Sequence, residues 1–179
     1  EQVRVDLQLT DSVVDMAGEG FDAAIRIGRI VDEGLVARSL RPYRMVIAAT
    51  PAYLARHGTP QGAADLARHQ CLSHSVWQRR VEWTLRDGNE EFFWPENARF
   101  VCNQGDGLRQ AALRGLGLVM QPEVLLADDL ASGALVPVLQ HCLPAQRDVH
   151  LVYAPDRRQL PKLARFVEYV VGTLGVDGH

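Results

Sequence analysis

Glu19-Gly20-Phe21-Asp22-Ala23-Ala24-Ile25-Arg26-Ile27-Gly28 and, further along, Ala48-Ala49-Thr50-Pro51-Ala52-Tyr53-Leu54 decide how this chain is read. In the first stretch a short helix ends at Gly18 or Gly20, because glycine tolerates the left-handed backbone a helix C-terminus often takes. A buried strand, Phe21 to Ile27, follows. In the second stretch an apolar strand, Met45 to Ala49, stops at Thr50-Pro51. Threonine caps a new helix there, and proline suits its first turn. Both segments read as strand ends facing a cleft.

Working outward, Val3, Val5, Leu7 and Leu9 alternate with Arg4, Asp6 and Gln8, the period of a strand with one buried face. Thr10-Asp11-Ser12 then caps a helix carrying Val13, Val14, Met16 and Ala17, which leads to the Phe21 strand. Strand, helix and strand in that order argue for parallel pairing in an α/β sheet covered on both faces. After the loop Gly28 to Gly34 come Leu35-Val36-Ala37 and then the strand ending at Ala49. A helix from Pro51 reaches His57-Gly58, and a second short helical segment ends near Arg68.

The period then shortens. Cys71 to His74, Val81 to Leu85, Glu91 to Trp94 and Ala98 to Cys102 are short β-like pieces, with Asp87-Gly88-Asn89 a hairpin turn between two of them. Asp106 to Arg114 reads as a helix ending at Gly115, and Leu116 to Met120 as a strand. Pro122 opens a helix that stops by Gly133. Leu135 to Leu139 and Val149 to Tyr153 are further strands, and Pro161 opens a last helix with Leu163, Phe166, Val167 and Val170 on its apolar face. The chain thus enters a second lobe near Thr50 and leaves it near His141 to Asp148. Lobe one is 1–49 with 148–179, and lobe two is 50–147. In such sheets ligands lie beyond the carboxyl ends of the strands.

The 179 residues, 47% hydrophobic and 23% charged, suit an ordinary globular chain with one core or two small ones. Nineteen basic against 22 acidic residues, net charge −3, leave no electrostatic footprint for a nucleic-acid backbone. No run approaches the roughly 18 apolar residues of a membrane span, and no signal-peptide profile follows Glu1. The expected location is cytoplasmic, with no membrane partner. Three scattered cysteines, Cys71, Cys102 and Cys142, do not make a disulfide framework. Glu1 reads as a position inside a domain.

The two opening stretches, Ser39 to Pro60 with Asp65-Leu66-Ala67-Arg68-His69-Gln70-Cys71-Leu72, Ala111 to Pro122, Ala127 to Leu139, and Val152-Tyr153-Ala154-Pro155 together resemble the effector-binding domain of LysR-type transcriptional regulators. The resemblance covers nearly all of the chain. It implies a two-lobed α/β fold of the type 2 periplasmic-binding-protein kind, with a cleft between lobes. It also implies that the first lobe lacks its first strand and helix at the N-terminus. In the family's order that strand lies between the Val3 to Leu9 and Phe21 to Ile27 strands. By the same resemblance the domains associate head-to-tail as homodimers within tetramers. The edge strand at Val3 to Leu9 and the helix near Asp106 would form that contact. DNA is reached only through an N-terminal helix-turn-helix, which these residues lack.

Three strand-to-helix corners are candidate effector contacts. Thr10 sits where free N–H groups and a positive helix end suit an anion, with Thr10 or Asp11 capping its own helix the favoured alternative. Gln104, Gly105 and Asp106 form the second corner. Its glycines allow close backbone approach, with Asp106 as a helix cap the competing explanation. The G-x-G-x-x-G fingerprint is not completed. Gln121-Pro122 is the third. Thr50 joins this set as a strand end. Arg26, in a strand that otherwise reads as buried, needs a partner, either an acidic side chain or a carboxylate or sulfonate ligand. Trp77, Trp83 and Trp94 read as core packing or as an aromatic stacking surface.

His69-x-Cys71-x-x-His74 carries metal-ligand types but lacks the paired elements of a zinc site, so neither metal nor cofactor is expected. Nothing around the cysteines suggests a peroxide-sensing pair. No G-x-S-x-G, H-E-x-x-H or P-loop pattern occurs, and no catalytic residue is assigned. The expectation is an effector sensor, not an enzyme, that binds a small, anionic metabolite and acts by shifting populations between lobe arrangements. The rival is a solute-binding protein of a transport system. An enzyme of the same fold, such as a prephenate dehydratase or porphobilinogen deaminase relative, lacks a matching motif.

Overall fold

The computed structural model describes residues 4–10, 15, 16, 18–30, 34–75, 83–96, 98–156 and 160–175. The strands in chain order are β1 (Ala24–Ile27), β2 (Val36–Tyr43), β3 (Met45–Ala49), β4 (Cys71–His74), β5 (Leu85–Asp87), β6 (Glu90–Phe92), β7 (Val101–Cys102), β8 (Leu118–Pro122), β9 (Val136–Val138) and β10 (Arg147–Tyr153). The helices are α1 (Pro51–His57), α2 (Gly105–Leu113), α3 (Glu123–Ala131) and α4 (Pro161–Leu174), with 3₁₀ turns at Ala63–Arg68 and Gln140–Cys142. The chain divides into two compact units, Glu1–Tyr43 with Arg147–His179, and Arg44–Gln146.

In the first unit β10 runs between β1 and β2, antiparallel to both. The apolar stripe of α4 covers this sheet. Val170 is buried with Leu40 and Leu151, and Phe166, Val167 and Val171 pack around them. Pro161 stands in the first turn of α4, where its missing N–H has no partner to lose. The other end closes with the Gly175 N–H on the Val171 carbonyl, 2.8 Å away.

This unit departs from the sequence pattern in two ways. Residues 4–10 form no strand, and Val5, Leu7 and Leu9 are 59%, 73% and 81% exposed. Alternation chooses which face would be buried, but a strand exists only where a neighbour supplies the ladder, and among the described residues no strand ladder includes this segment. The helix expected after Thr10 falls mainly on residues 11–14 and 17, outside the described set. For the same reason β1 is not the buried strand its residues suggest. It is paired with β10 alone among the described residues, and Ile25 and Ile27 remain about half exposed.

The second unit is built on a five-stranded sheet in the order β7-β4-β8-β3-β9. β4 is parallel to β7 and β8, whereas β3 is antiparallel to β8 and β9. All five residues of β3 are buried, as expected of a strand covered on both faces. β3 is the Met45 to Ala49 strand read from the sequence, and β2 before it parts from it at Arg44 and enters the other sheet. On one face Val46, Ala48, Leu72 and Val119 pack with Leu108, Ala111 and Ala112 of α2, with Leu126 of α3 and with Leu135. Leu108 and Leu126 are 0% exposed, so truncating either to alanine would cost about 2–5 kcal/mol. β5 and β6 form the hairpin read at Asp87-Gly88-Asn89, with Asp87 opposite Glu90 and Gly88 at φ 61°.

Candidate functional site

Parallel pairing of β7, β4 and β8 brings three carboxyl ends to one edge of the second sheet. α2 begins two residues after β7 and α3 begins directly after β8, so two helix N-termini open over that edge. Leu72 is opposite Val119. Side chains two residues apart share a face, so His74 and Gln121 extend the same helix-covered face, and His74 is opposite Cys102.

Gln121 is the unusual member of this face. It is 1% exposed, and neither Oε1 nor Nε2 has a hydrogen-bond partner. A buried unpaired amide is costly. Its place is made by Gly105, the first residue of α2. A β-carbon there would stand 2.6 Å from Gln121 Oε1 and 2.8 Å from Leu125 Cδ2.

The N-terminus of α2 has no side-chain cap. Gln104 occupies the capping position, and its own N–H points at Cys102 Sγ, 3.4 Å away. Asp106 turns instead toward Arg109, with Oδ1 3.4 Å from Nη1. Arg109 donates its stronger pair of bonds to Asp129, at 2.6 and 2.9 Å, and these raise the guanidinium pKa. Asp106 therefore does not cap the helix as one sequence alternative had it. The positive end of α2 faces the corner without an internal acceptor, which suits an anionic group.

Of the residues expected to contact a ligand, the fold brings Gly105 and Gln121 together, with Gln104 and Asp106 beside them. Thr50 is elsewhere. β3 is antiparallel to β8, so its carboxyl end lies at the opposite edge of the sheet. There the Thr50 hydroxyl accepts the Tyr53 N–H at 3.2 Å and caps α1. Thr10 and Arg26 belong to the first unit. Thr10 is exposed, and Arg26 is half-buried in β1 opposite His150.

The other sequence candidates resolve into packing. The Tyr53 hydroxyl accepts the Gln70 N–H at 3.0 Å and lies 3.2 Å from His69 Nδ1. Burial lowers the His69 pKa, helped by the charge of His57, and raises that of Tyr53. Cys71 is buried with its thiol on the Leu66 carbonyl, and burial pushes it up to about 12, too high for a reactive thiolate. Trp83 is buried, and Trp94 Nε1 donates to the Leu72 carbonyl at 2.9 Å. Trp77 lies outside the described residues. Sequence reading missed His74 as part of the corner, because its contribution depends on the β4–β8 register and not on any local motif.

The family model for the LysR substrate binding domain matches residues 1–175. Among curated relatives, an HTH-type transcriptional regulator of Xanthomonas campestris pv. campestris is 31% identical over 98% of this chain and 52% of its own length. The HTH-type transcriptional regulator CrgA of Neisseria meningitidis is 32% identical over 97% of this chain and 58% of its own. The chain thus spans about half the length of the curated relatives it matches. Among solved structures, the CrgA regulatory domain superposes with a TM-score of 0.82 at 31% identity, covering 93% of this chain and 81% of that one. Full-length AphB, a virulence activator of Vibrio cholerae, gives 0.84 at 26% identity, covering 96% and 58%. These neighbours place the fold in the type 2 periplasmic-binding-protein class, and the relatives favour the regulator over the transport rival. Among the described residues no helix is long and apolar enough to cross a membrane.

Proposed function

This chain belongs to the LysR substrate-binding-domain family, and we propose that the sensor it forms recognises its effector at the Gln121 corner of the second unit. One observation carries the proposal: Gln121 is a buried amide with both polar atoms unpartnered, held against the uncapped start of α2. The N–H groups of α2 supply donors for a carboxylate. Gln121 supplies one acceptor and two donors for a neighbouring hydroxyl or amine. The expected effector is therefore a small carboxylate that also carries a hydrogen-bond donor, such as a hydroxy or amino acid.

Gln121 is almost fully covered, so a ligand reaches it only in an arrangement where the Gly105-Asp106-Gly107 turn has moved aside. A ligand that binds that arrangement better than the closed one shifts the population toward it. The relatives are named HTH-type transcriptional regulators, and on this reading the whole protein would reach DNA through a helix-turn-helix; a homo-oligomeric, cytoplasmic and non-catalytic role is part of the same proposal. Thr10 and Arg26 remain proposed contacts of the first unit.

The test is calorimetric titration of the chain with a panel of small hydroxy acids, amino acids and plain carboxylates. A binder is expected whose affinity falls more than about tenfold in Gln121→Met, since a site built around a buried polar group loses that much when the pairing is removed. A binder unaffected by Gln121→Met and Gln104→Ala would remove the corner from the site.

A further inference from the structure

A second cluster in the same unit shares no residue with the α2 corner and is not used by the proposed sensing chemistry. Asp87 at the end of β5, with His141 and Cys142 of the 3₁₀ turn, offers one carboxylate oxygen, one imidazole nitrogen and one thiol, all within 4.8 Å of one another. We propose that these three side chains form a site for a single zinc-like divalent cation.

The site is assembled by three local features. The β5–β6 hairpin holds Asp87, whose Oδ2 accepts the Ala63 N–H at 2.9 Å. That bond orients the carboxylate and leaves Oδ1 for His141, whose Nε2 is 3.8 Å away. This is too long for a hydrogen bond but suits two ligands of one ion. Cys142 is 0% exposed and its thiol is hydrogen-bonded to Asp87. The turn that presents His141 and Cys142 starts at Leu139, which has φ 53° and is the one non-glycine residue with positive φ among those described. Such a conformation persists only where its surroundings enforce it.

A thiol–carboxylate hydrogen bond alone would account for Asp87 and Cys142. It does not account for His141, whose side chain is 58% exposed and yet directed at the same carboxylate. Sulfur, imidazole and carboxylate together match the zinc donor set, with three protein ligands and one position left for solvent on the exposed His141 side. Zinc–ligand bonds of about 2.0–2.3 Å require the group to contract by roughly 1 Å, and the exposed imidazole is free of the core and able to make that movement. Binding displaces the Cys142 proton to solvent and leaves a metal-bound thiolate. The cation would tie the hairpin to the turn that leads out of β9.

The spectroscopic probe is cobalt(II), titrated into the reduced chain. The expected result is thiolate-to-cobalt charge-transfer absorption with visible bands of tetrahedral intensity, saturating at one equivalent. It should be lost in Cys142→Ser, weakened more than about tenfold in His141→Ala and unchanged in Cys102→Ser. His141 is exposed, so its variant keeps the fold and decides the matter even if Cys142→Ser does not fold. Absence of the absorption in the unaltered chain, or its persistence at full affinity in both His141→Ala and Asp87→Asn, overturns the site.

Discussion

Replacing Gln121 by methionine should make the second unit more stable while removing its ligand chemistry. Gln121 is 1% exposed with both amide atoms unpaired, a burial that costs about 1–3 kcal/mol on mutational scales. Methionine has nearly the same length and volume, and a swap of this kind loses less than about 1.5 kcal/mol through imperfect fit. The balance favours the variant by about 1 kcal/mol, which raises a melting midpoint by roughly 2–4 °C in a chain of this size. The assay is urea unfolding followed by tryptophan emission. Trp77, Trp83 and Trp94 all belong to the second unit, so the signal reports the part of the chain that changes. An upward shift of the urea midpoint at constant slope is expected. A midpoint lowered by a comparable amount would mean that the amide is satisfied in the free protein, and the argument for Gln121 as a vacant recognition group would fail.

Thr50→Ala should destabilise the second unit by about 0.5–2 kcal/mol without altering ligand affinity, because its hydroxyl is a helix cap at the far edge of the sheet. Gly117→Ala should be more damaging, since a β-carbon there would collide with the backbone carbonyl of Gln70 and neither strand can yield. Thermal unfolding of both variants checks the order. Burial and the charge of His57 lower the His69 pKa below the ordinary histidine value of about 6.5, so the unfolded chain takes up that proton first. Stability from this group is complete above pH 6.5 and declines as pH falls from there toward the lower folded pKa. His69→Gln should flatten that acid-side slope in urea midpoints measured across the window. An unchanged slope would assign it to other groups.

Much of the second unit was legible because its signals are local. Thr50-Pro51 marks the start of α1, Gly115 with φ 72° follows α2, and Gly88 makes the hairpin, each through backbone chemistry carried within a few residues. The first unit was read less well because strand formation at Val5, Leu7 and Leu9 depends on a ladder partner that alternation cannot supply. Parallel or antiparallel direction is likewise set by which strands meet, so the β1–β10–β2 order was not visible in the pattern. The site divides the same way. Gln104, Gly105 and Gln121 were found as strand ends, but only register shows that Gln121 and Gly105 touch while Thr50 lies at the other edge. Asp87 and the His141-Cys142 pair are far apart in the chain, so no spacing rule could join them.

The position of Gln121 sets a packing account of the corner against the proposed sensing one. Val119 and Gln121 occupy successive places on one face of β8, yet one is fully apolar and the other carries an amide with no protein partner. If the corner served only to pack the sheet against α2, an aliphatic residue at 121 would do so at lower free energy, and a larger residue at 105 would be excluded only by that packing. The pairing of a missing β-carbon at Gly105 with an unpaired amide at Gln121 instead stores a cost in the closed arrangement that a ligand can relieve. Gly105→Ala separates the two accounts. Its β-carbon would fall 2.6 Å from Gln121 Oε1, displacing the amide and obstructing the corner. On the sensing account the variant loses affinity for the carboxylate recovered from the panel by more than about tenfold, while the double variant Gly105→Ala with Gln121→Met recovers stability but not binding. Recovery of both would show that the corner is packing alone and that the effector is read elsewhere.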